Sequence, residues 1–355
     1  MRFLRQKLVA TLSAVLMIAL GLACGPTARN RPVGSPLPSP GPSVSPLSTP
    51  ERTFPRQSGE VRAAVFSPDG EWLATAGDDK QITLWDFERG TVLRRLAAHA
   101  EAITSLDFSP TGSVLASASK DRTIKLWDPR TGSALRTLAH DAEVRSVAFS
   151  FDGKLLASGG VDRSVKLWDA ATGRELWTLS GHTQAVNAVA FSPDGITVVS
   201  ASDDHTVKIW NGKTGALFRT LQVQQAPVLA VAFSLDASVL ATGSGNRPSG
   251  FPPALSFSHF AQLKFFDPRS GDEVYSFPPV FSSVTAVAFS PNGRTLAAGH
   301  LSNDRCSDIN YFDLSSHELK RRLVAHRGIV HALAFSPDGG WLVSVGSDHA
   351  IRAWH

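Results

Sequence analysis

The fold is decided by a stretch between His140 and Asp169. Three short apolar runs follow one another there and read VRSVAFS (144–150), LLASGG (155–160) and VKLWD (165–169). They are joined by FDG (151–153) and VDR (161–163), which contain typical turn residues. Three runs of about five residues joined in this way predict an antiparallel meander. One meander cannot bury both of its faces, so it needs neighbours.

The chain supplies these neighbours by repetition. A phenylalanine closes the first run of each copy, at intervals of 42, 41, 42, 42, 56 and 46 residues: Phe66, Phe108, Phe149, Phe191, Phe233, Phe289 and Phe335. An aromatic residue closes the third run: Trp85, Trp127, Trp168, Trp210, Phe266, Phe312 and Trp354. Seven copies with a period in the low forties and four short strands each predict a β-propeller.

Four copies also resemble the WD repeat (Trp-Asp repeat) in residue type and order. The matching sets are His99, Ser117, Asp121 and Trp127-Asp128; His140, Ser158, Asp162 and Trp168-Asp169; His182, Ser200, Asp204 and Trp210; and His326, Ser344, Asp348 and Trp354. Asn211 replaces the final Asp of the third set, and the chain ends one residue after Trp354. The resemblance covers residues 51–355. It implies an all-β, seven-bladed propeller with four-stranded antiparallel blades.

The resemblance also implies a role for these polar residues, a hydrogen-bond network inside each blade. Ser, His and Asp are the residues of hydrolase triads as well, but four equal sets favour structure, since an enzyme rarely has four equal active sites. The histidines lie about 41 residues apart, one per blade, so we do not expect them to converge on a metal. We therefore predict no catalytic residue, metal or cofactor. Copies 1, 5 and 6 have Gln57, Gln224 and Val280 at the His position, and we expect apolar packing to stabilise them.

In the WD-repeat pattern each copy supplies three strands of one blade and the outer strand of the blade before it. The last copy stops at His355, so its outer strand must come from elsewhere. Residues 52–54 lie seven residues before Val61, as Leu96 lies seven before Ile103. We expect this segment to join the last blade, which closes the ring and removes two exposed sheet edges.

The first 50 residues have a different composition. Arg2, Arg5 and Lys7 precede an apolar run over 8–23, so residues 1–23 are predicted to be an export signal. The run is short for a membrane-spanning helix. Its end at Cys24 resembles a bacterial lipoprotein signal, in which the Cys receives lipid, although Gly21 stands where Leu is usual. Cleavage near Ala23 and an uncleaved anchor are the alternatives.

Residues 24–50 are predicted to be a disordered, lipid-anchored linker, since they contain eight prolines and no aromatic residue. The net charge of +4 arises there and in the leader, because residues 1–50 contain five basic residues and no acidic one. The remainder is nearly neutral, which disfavours nucleic acid as a partner. If Cys24 is lipidated, only Cys306, in a predicted loop insertion, remains, and no intramolecular disulfide can form.

Two insertions, around 245–262 and 300–308, lie between the second and third strands of their copies. We expect them at the end of the propeller that binds partners in the resembled family. Phe251, Phe257 and Phe260 either anchor a partner or cover blades 5 and 6. The same end is expected to present the residues after each turn Asp (Lys80, Arg122, Arg163, His205 and His349) and those at the mouth of the inner strands (Arg62, Thr104, Arg145, Asn187, Leu229, Thr285 and His331).

These residues include no carboxylate, which favours an acidic partner segment, but Lys or Arg after the turn Asp is also common filler in the repeat. The sequence thus predicts a monomeric, non-enzymatic scaffold for protein partners. It would be exported and lipid-anchored to the extracytoplasmic face of a bacterial cell membrane. One alternative is an envelope or outer-membrane assembly factor. Another is an enzyme or sugar-binding protein with a site in the central channel, which the lack of acids at the mouth disfavours.

Overall fold

Each apolar run of the repeats forms one β-strand in the computed structural model, which describes residues 49–222, 226–245, 261–277, 283–301 and 306–355. Every regular element in these ranges is a strand. The second strand of each blade is buried throughout its central residues, because it lies between two other strands and between two neighbouring blades. Across the described ranges, no helix is long and apolar enough to cross a membrane.

The chain begins with β1 (Arg52–Thr53). Blade 1 contains β2 (Val61–Phe66), β3 (Trp72–Gly77), β4 (Gln81–Asp86) and β5 (Thr91–Ala97), and blade 2 contains β6 (Ile103–Phe108), β7 (Leu115–Ser119), β8 (Thr123–Trp127) and β9 (Ala134–Ala139). Blade 3 contains β10 (Val144–Phe149), β11 (Leu155–Gly160), β12 (Val165–Asp169) and β13 (Glu175–Leu179). Blade 4 contains β14 (Val186–Phe191), β15 (Thr197–Ser202), β16 (Thr206–Asn211) and β17 (Leu217–Gln222). Blade 5 contains β18 (Val228–Phe233), β19 (Leu240–Ser244), β20 (Leu263–Phe266) and β21 (Glu273–Ser276). Blade 6 contains β22 (Val284–Phe289), β23 (Thr295–Leu301), β24 (Cys306–Asp313) and β25 (Glu318–Arg327). Blade 7 contains β26 (Val330–Phe335), β27 (Leu342–Gly346) and β28 (Ile351–Trp354).

These strands form seven four-stranded antiparallel sheets, and the first strand of each blade lies beside that of the next blade around a closed ring. The predicted all-β, seven-bladed propeller is confirmed. Loops that lead from one blade into the next and turns between second and third strands share one end of the ring, which we call the upper face. Turns between first and second strands lie on the lower face.

The ring closes through the N-terminal strand, as predicted, although the strand is one residue shorter than expected. Arg52 pairs with Ala353 and Thr53 with Arg352, which makes β1 the outer strand of blade 7. Phe54 follows at once and packs edge-on against Trp85 of blade 1, with ring centroids 5.5 Å apart. The closure therefore combines backbone pairing with an aromatic contact between the last blade and the first.

The insertion in blade 6 differs from the prediction. Strands β23 and β24 extend into it, and Leu301 pairs with Ser307. Cys306 is therefore the first residue of β24 and does not lie in a loop. In blade 5 the insertion does fall between β19 and β20, but Phe251, Phe257 and Phe260 lie outside the described residues, as do Cys24, the leader and the linker up to residue 48.

Candidate functional site

The second copy of the repeat contains a closed chain of hydrogen bonds. Trp127 Nε1 donates to Ser117 Oγ over 2.9 Å, and Ser117 Oγ lies 2.7 Å from His99 Nε2. His99 Nδ1 lies 2.9 Å from Asp121 Oδ2. With the proton on Nδ1, the imidazole donates to the carboxylate and accepts from the serine hydroxyl, so each buried polar group has a partner. A fully paired network of this kind makes a blade rigid.

Copies 4 and 7 repeat this arrangement. His182 lies 2.8 Å from both Asp204 and Ser200, and His326 lies 2.7 Å from Asp348 and 2.8 Å from Ser344. The indole N–H groups of the two copies donate to these serines over 2.8 and 2.9 Å: Trp210 and Trp354. Burial lowers the pKa of His182, and its hydrogen bond with Asp204 offsets only part of this effect. The histidine is therefore neutral at pH 7, as the hydrogen-bond chain requires.

Copy 3 departs from the expected network. Trp168 Nε1 donates to Ser158 Oγ over 2.9 Å, and His140 Nδ1 lies 2.8 Å from Asp162 Oδ2, a contact that helps to lower the pKa of Asp162 against the effect of burial. No hydrogen bond joins His140 Nε2 to Ser158 in the part of the chain that the structure describes. In copies 2 and 4 the backbone N–H after the histidine also donates to the turn Asp, over 3.0 Å in both cases. In copy 3 that next residue is Asp141, which pairs with Lys166 at 3.1 Å.

Copy 1 was expected to lack the network, and this expectation needs correction. Gln57 Nε2 donates to Thr75 Oγ1 over 2.8 Å, and Trp85 Nε1 donates to the same hydroxyl over 2.8 Å. The glutamine amide thus bonds to the hydroxyl of Thr75, as the imidazole Nε2 bonds to the serine hydroxyl in the other copies. Its Oε1 cannot donate a proton to Asp79 and has no partner. Burial accordingly raises the pKa of Asp79.

The Ser–His–Asp distances are those of a hydrolase triad, but the surroundings are not. Ser117, Ser200 and Ser344 are fully buried, so no substrate carbonyl can reach them. Each serine oxygen already accepts an indole N–H, which a nucleophile in a triad does not. Each histidine sits within its own blade. Within the described residues no three His, Cys, Asp or Glu side chains are placed to hold a metal ion.

Blades 5 and 6 meet through aromatic rings where the other blades have polar sets. Phe312 takes the place of the tryptophan, and its ring centroid lies 4.1 Å from that of Phe277. Tyr275 packs edge-on against Phe277 at 4.9 Å. Two buried polar groups of blade 6 have no partner among the described residues: the ring nitrogens of His300 and Oδ1 of Asn310. Burial lowers the pKa of His300 to about 4, and the nearby charge of Arg322 adds to the shift.

The predicted mouth residues share one structural feature. In every blade the pairing of the first hairpin shifts at the second residue of the inner strand, as between Val61 and Ala63. A β-bulge leaves one residue unpaired and redirects its side chain. The seven residues at these bulges all line a central cavity of about 490 Å³: Arg62, Thr104, Arg145, Asn187, Leu229, Thr285 and His331.

The expectation of a mouth without acids is wrong. Arg62 makes a two-pronged contact with Asp78 over 2.6 and 3.0 Å and also lies 2.9 Å from Glu60, which in turn lies 3.1 Å from His331. The hydrogen bond with His331 and the charge of Arg62 lower the pKa of Glu60.

Across the channel, Arg145 pairs with Asp203 over 2.9 Å. Asp78 and Asp203 come from the turns between second and third strands and Glu60 from the loop before β2, so only the fold brings them to the inner strands. The two arginines are therefore already neutralised, which removes much of the support for an acidic partner.

Three of the bulge residues link neighbouring blades. Thr104 Oγ1 donates to Val144 O over 2.6 Å, Asn187 Nδ2 to Val228 O over 2.8 Å, and Thr285 Oγ1 to Val330 O over 2.7 Å. On the same strand as Thr104, Asp107 also links two blades, because it accepts a hydrogen bond from Phe149 N over 2.7 Å. Burial raises the pKa of Asp107 to about 7. Asp107 was not predicted as a functional residue. It could have been found from the sequence, because the other inner strands have Val or Ala at this position.

The predicted residues after the turn Asp occupy one equivalent position in five blades. Their backbone φ angles lie between 63° and 70°, in the left-handed region: Lys80, Arg122, Arg163, His205 and His349. Each of their N–H groups donates to the carbonyl three residues earlier, as Arg122 does to Ser119 over 3.3 Å. Five cationic or imidazole side chains are therefore held at the same height on the upper face. Lys80, Arg122 and Arg163 are the most exposed.

Comparison with known proteins fits this geometry. A sequence profile of the WD-repeat family, described as WD domain, G-beta repeat, matches residues 48–86, 90–128, 132–169, 173–211, 271–306 and 317–355. Most of copy 5 lies in the unmatched segment between 211 and 271, yet it forms a complete four-stranded blade. Tertiary packing thus preserves a blade whose polar set is absent.

Individual relatives align only over one or two repeats. WD repeat domain-containing protein 83 of Danio rerio is 41% identical over 56 residues, which are 16% of this chain and 18% of the relative. Protein HIR1 of Candida albicans is 34% identical over 84 residues, covering 20% and 9%, and the general transcriptional corepressor TUP1 of Saccharomyces cerevisiae is 43% identical over 47 residues, covering 13% and 7%. The matched part is less than a fifth of each of these relatives. The WD-repeat profile matches more than half of the residues of this chain, and the chain therefore belongs to the WD-repeat family.

Proposed function

We propose that the chain is a non-enzymatic scaffold that binds protein partners through its upper face. We further propose that it is exported and held at the extracytoplasmic face of a bacterial cell membrane by a lipid on Cys24. The sealed Ser–His–Asp–Trp sets support the first part, because they make a rigid ring and leave no accessible nucleophile. Rigid scaffolds with functional residues in their loops are a common basis for binding.

The observation that carries the proposal is the left-handed backbone at Lys80, Arg122 and Arg163. Such a conformation costs a residue with a side chain about 1–2 kcal/mol, whereas glycine adopts it freely. The chain therefore retains large cationic side chains at these positions against a gain in stability. Backbone strain of this kind is typical of functional sites. These three exposed cations therefore lie on a fixed backbone at one height of the upper face, where a partner can reach them.

The anchor part rests on the leader and on the path of the chain. β28 runs from the upper to the lower face, and β1 is antiparallel to it, so residues 49–51 enter the propeller at the lower face. The chain thus joins the propeller at the face opposite the one proposed to bind partners. An extended linker of 24–50 reaches roughly 80 Å, at about 3.1 Å per residue.

Affinity capture from membranes tests the binding face. The variant Lys80→Gly/Arg122→Gly/Arg163→Gly removes three side chains and relieves strain, so we expect it to lose partner recovery while melting at or above the temperature of the parent. A variant lacking 249–260 separates the two readings of the blade 5 insertion. Equal recovery by the parent and the triple-glycine variant would contradict binding through these turns.

Metabolic labelling with a fatty-acid analogue in a bacterial host tests the anchor. The parent is expected to take up label and to sediment with membranes, and Cys24→Ala is expected to lose the label and enter the soluble envelope fraction. An unlabelled parent would contradict lipidation. This outcome leaves the capture experiment unaffected.

A polar ligand at the channel mouth is the second candidate, favoured by the carboxylates found there. Arg62, Glu60 and His331 form a connected set at the rim of the cavity. Carboxylates and guanidinium groups bind sugar hydroxyls well. A thermal-shift screen of neutral sugars tests this candidate. A stabilising sugar whose effect disappears in His331→Ala would support it, and no shift with any sugar would contradict it.

A further inference from the structure

The lower face has a repeating contact that is present at four of the seven junctions between blades. In most blades a proline of the first turn packs against the turn glycine of the next blade. A Cβ at Gly112 would lie 3.3 Å from Pro68 Cδ, and one at Gly153 would lie 3.3 Å from Pro110 Cδ. The same contact joins Pro291 to Gly339 and Pro337 to Gly70 at 3.4 Å. These contacts seal the lower face between neighbouring blades.

At two of the other three junctions a large apolar residue replaces the proline, and at the third, after Pro193, Ala237 replaces the glycine. Phe151 and Leu235 stand at the proline position, and their side chains turn outward, with exposed fractions of 60% and 52%. The glycines that they would meet, Gly195 and Gly293, have open space around them. Between these two blades, Ile196 is 43% exposed, at a position where the other six copies have Glu, Ser, Lys, Ser, Arg and Gly. Three consecutive blades thus present apolar tips on one face.

A groove of about 390 Å³ lies between blades 4 and 5, next to these tips. Phe218, Phe233 and Pro268 give it apolar walls, and Phe218 is 57% exposed. Ala237 lines it as well and has a left-handed φ of 56°, where most other copies have glycine. A concave apolar hollow beside protruding apolar side chains is typical of a binding site.

The charges at the groove indicate the chemistry of its occupant. Arg219 and Arg269 are exposed at its rim, and neither forms an ion pair with a carboxylate in the part of the chain that the structure describes. Arg219 donates only to the backbone carbonyl of Arg269, over 3.3 Å. The one acid in the lining, Asp194, accepts hydrogen bonds from Ser192 Oγ and, over 2.9 Å, from Ile196 N. The charge of Arg269 helps to lower the pKa of Asp194, but no described carboxylate lies within ion-pair distance of either guanidinium group, so both can bind an external carboxylate.

We propose that the lower face of blades 3 to 5 is a second docking surface, which binds an extended acidic peptide segment of a protein partner. A large apolar side chain of the peptide fills the groove at Phe218, and an adjacent carboxylate pairs with Arg269 and Arg219. Phe151, Ile196 and Leu235 extend the apolar contact. A lipid surface fits less well, because insertion of the tips would take Asp152 and Asp236 out of water, whereas a peptide with its carboxylate at Arg219 and Arg269 leaves both exposed. The proposal does not depend on the upper face or on the lipid anchor.

Panning a phage-displayed library of random 12-residue peptides against the immobilised full chain tests this surface. We expect enriched peptides with an aromatic residue or leucine next to Asp or Glu. We expect Arg269→Glu and Phe218→Ser each to weaken the binding of a selected synthetic peptide at least tenfold. A peptide with Lys in place of its acidic residue should regain affinity for Arg269→Glu. Leu93→Ser, at an exposed apolar position on the outer strand of blade 1, is the matched control and should bind like the parent.

Three results would overturn the proposal. The first is no enriched sequence class, or binding that neither groove variant weakens. The second is sedimentation with phosphatidylglycerol vesicles that Phe151→Ser and Leu235→Ser abolish, which would identify a lipid surface. The third is self-association of the full chain that Phe218→Ser abolishes, which would identify a second copy as the occupant.

Discussion

Blades 4 and 6 have the same four strands and the same register at the first hairpin, but opposite interiors. In blade 4, His182, Ser200 and Trp210 form a polar chain that bridges strands and the loop before the blade. In blade 6 the serine and tryptophan positions hold Ala298 and Phe312, and Phe312 packs against Phe277 of blade 5. The backbone therefore does not require the polar set. Removing a donor together with its acceptor costs little, whereas leaving one of them buried and unpaired lowers stability.

Both the aromatic interior and the polar interiors also contain a buried polar residue that is not fully paired. His300 lies in the aromatic seam without a partner, and Gln57 lies in a polar set without the second proton donor that a histidine supplies. Substitution at either of these two positions should therefore be able to raise the free energy of unfolding. Four substitutions test this comparison.

The largest effect is expected in the aromatic seam. Phe312→Ala removes a buried ring that contacts Phe277 and leaves a cavity, so the free energy of unfolding should fall by about 3–5 kcal/mol. Urea denaturation followed by tryptophan fluorescence measures it. Phe312→Leu is the control and should cost distinctly less. A loss below about 1 kcal/mol for the alanine variant would mean that these rings do not stabilise blades 5 and 6.

The polar set should respond to partial and complete removal differently. Ser200→Ala leaves the indole of Trp210 and the Nε2 of His182 unpaired in the interior, at an expected cost of about 2–4 kcal/mol. The triple variant His182→Val/Ser200→Ala/Trp210→Phe copies the residues of blade 6 and removes the partners together. It should cost less than the sum of the three single substitutions in the same urea assay. Additive losses would show that the set is not a unit.

Acid should act on His300 in a defined direction. Its folded pKa of about 4 lies below the ordinary 6.5, so the unfolded chain takes up the proton first, and stability falls as the pH drops from about 6.5 toward 4. At pH 5 this amounts to about 2 kcal/mol. Asp308, the residue opposite His300 on the next strand, is already bound by Arg322.

The measurement is the difference in unfolding free energy between pH 7.5 and pH 5.0, for the parent and for His300→Leu. The other histidines contribute equally to both proteins and cancel. The variant is expected to lose about 2 kcal/mol less than the parent on acidification. An identical loss in both would contradict the burial of an unpaired imidazole.

The smallest effect is a gain in blade 1. Gln57→His supplies the missing donor to Asp79 and should raise the free energy of unfolding by about 1 kcal/mol. The same hydrogen bond should lower the pKa of Asp79, which burial now raises, and an NMR titration of that carboxyl group measures it. Gln57→Leu is the control and should lose stability, because Thr75 and Trp85 then keep one hydrogen bond between them. A pKa of Asp79 that does not move in Gln57→His would mean that the imidazole does not reach it.

Several features were predictable from residues that repeat. The interval between Phe108 and Phe149 and the position of Arg52–Thr53 before Val61 predicted the blades and their closure, because period and strand length are local properties. The carboxylates at the channel mouth were not predictable. Asp78 and Asp203 lie 16 residues beyond Arg62 and Asn187 in the chain, and only the pairing of the first hairpin with its bulge brings them together. The missing link between His140 and Ser158 in copy 3 was equally hidden, since both residues stand at the expected positions of the sequence.

By itself, the sequence determined the number of blades, the strand that closes the ring and the membership of the WD-repeat family, because each depends on a pattern that recurs along the chain. Only the tertiary structure decided which polar sets are complete, which arginines are neutralised, and where apolar side chains stay exposed. Those properties depend on distances between residues of different strands and blades. A hydrogen bond or an ion pair requires atoms within about 3 Å, and spacing in the sequence does not specify distances at that scale.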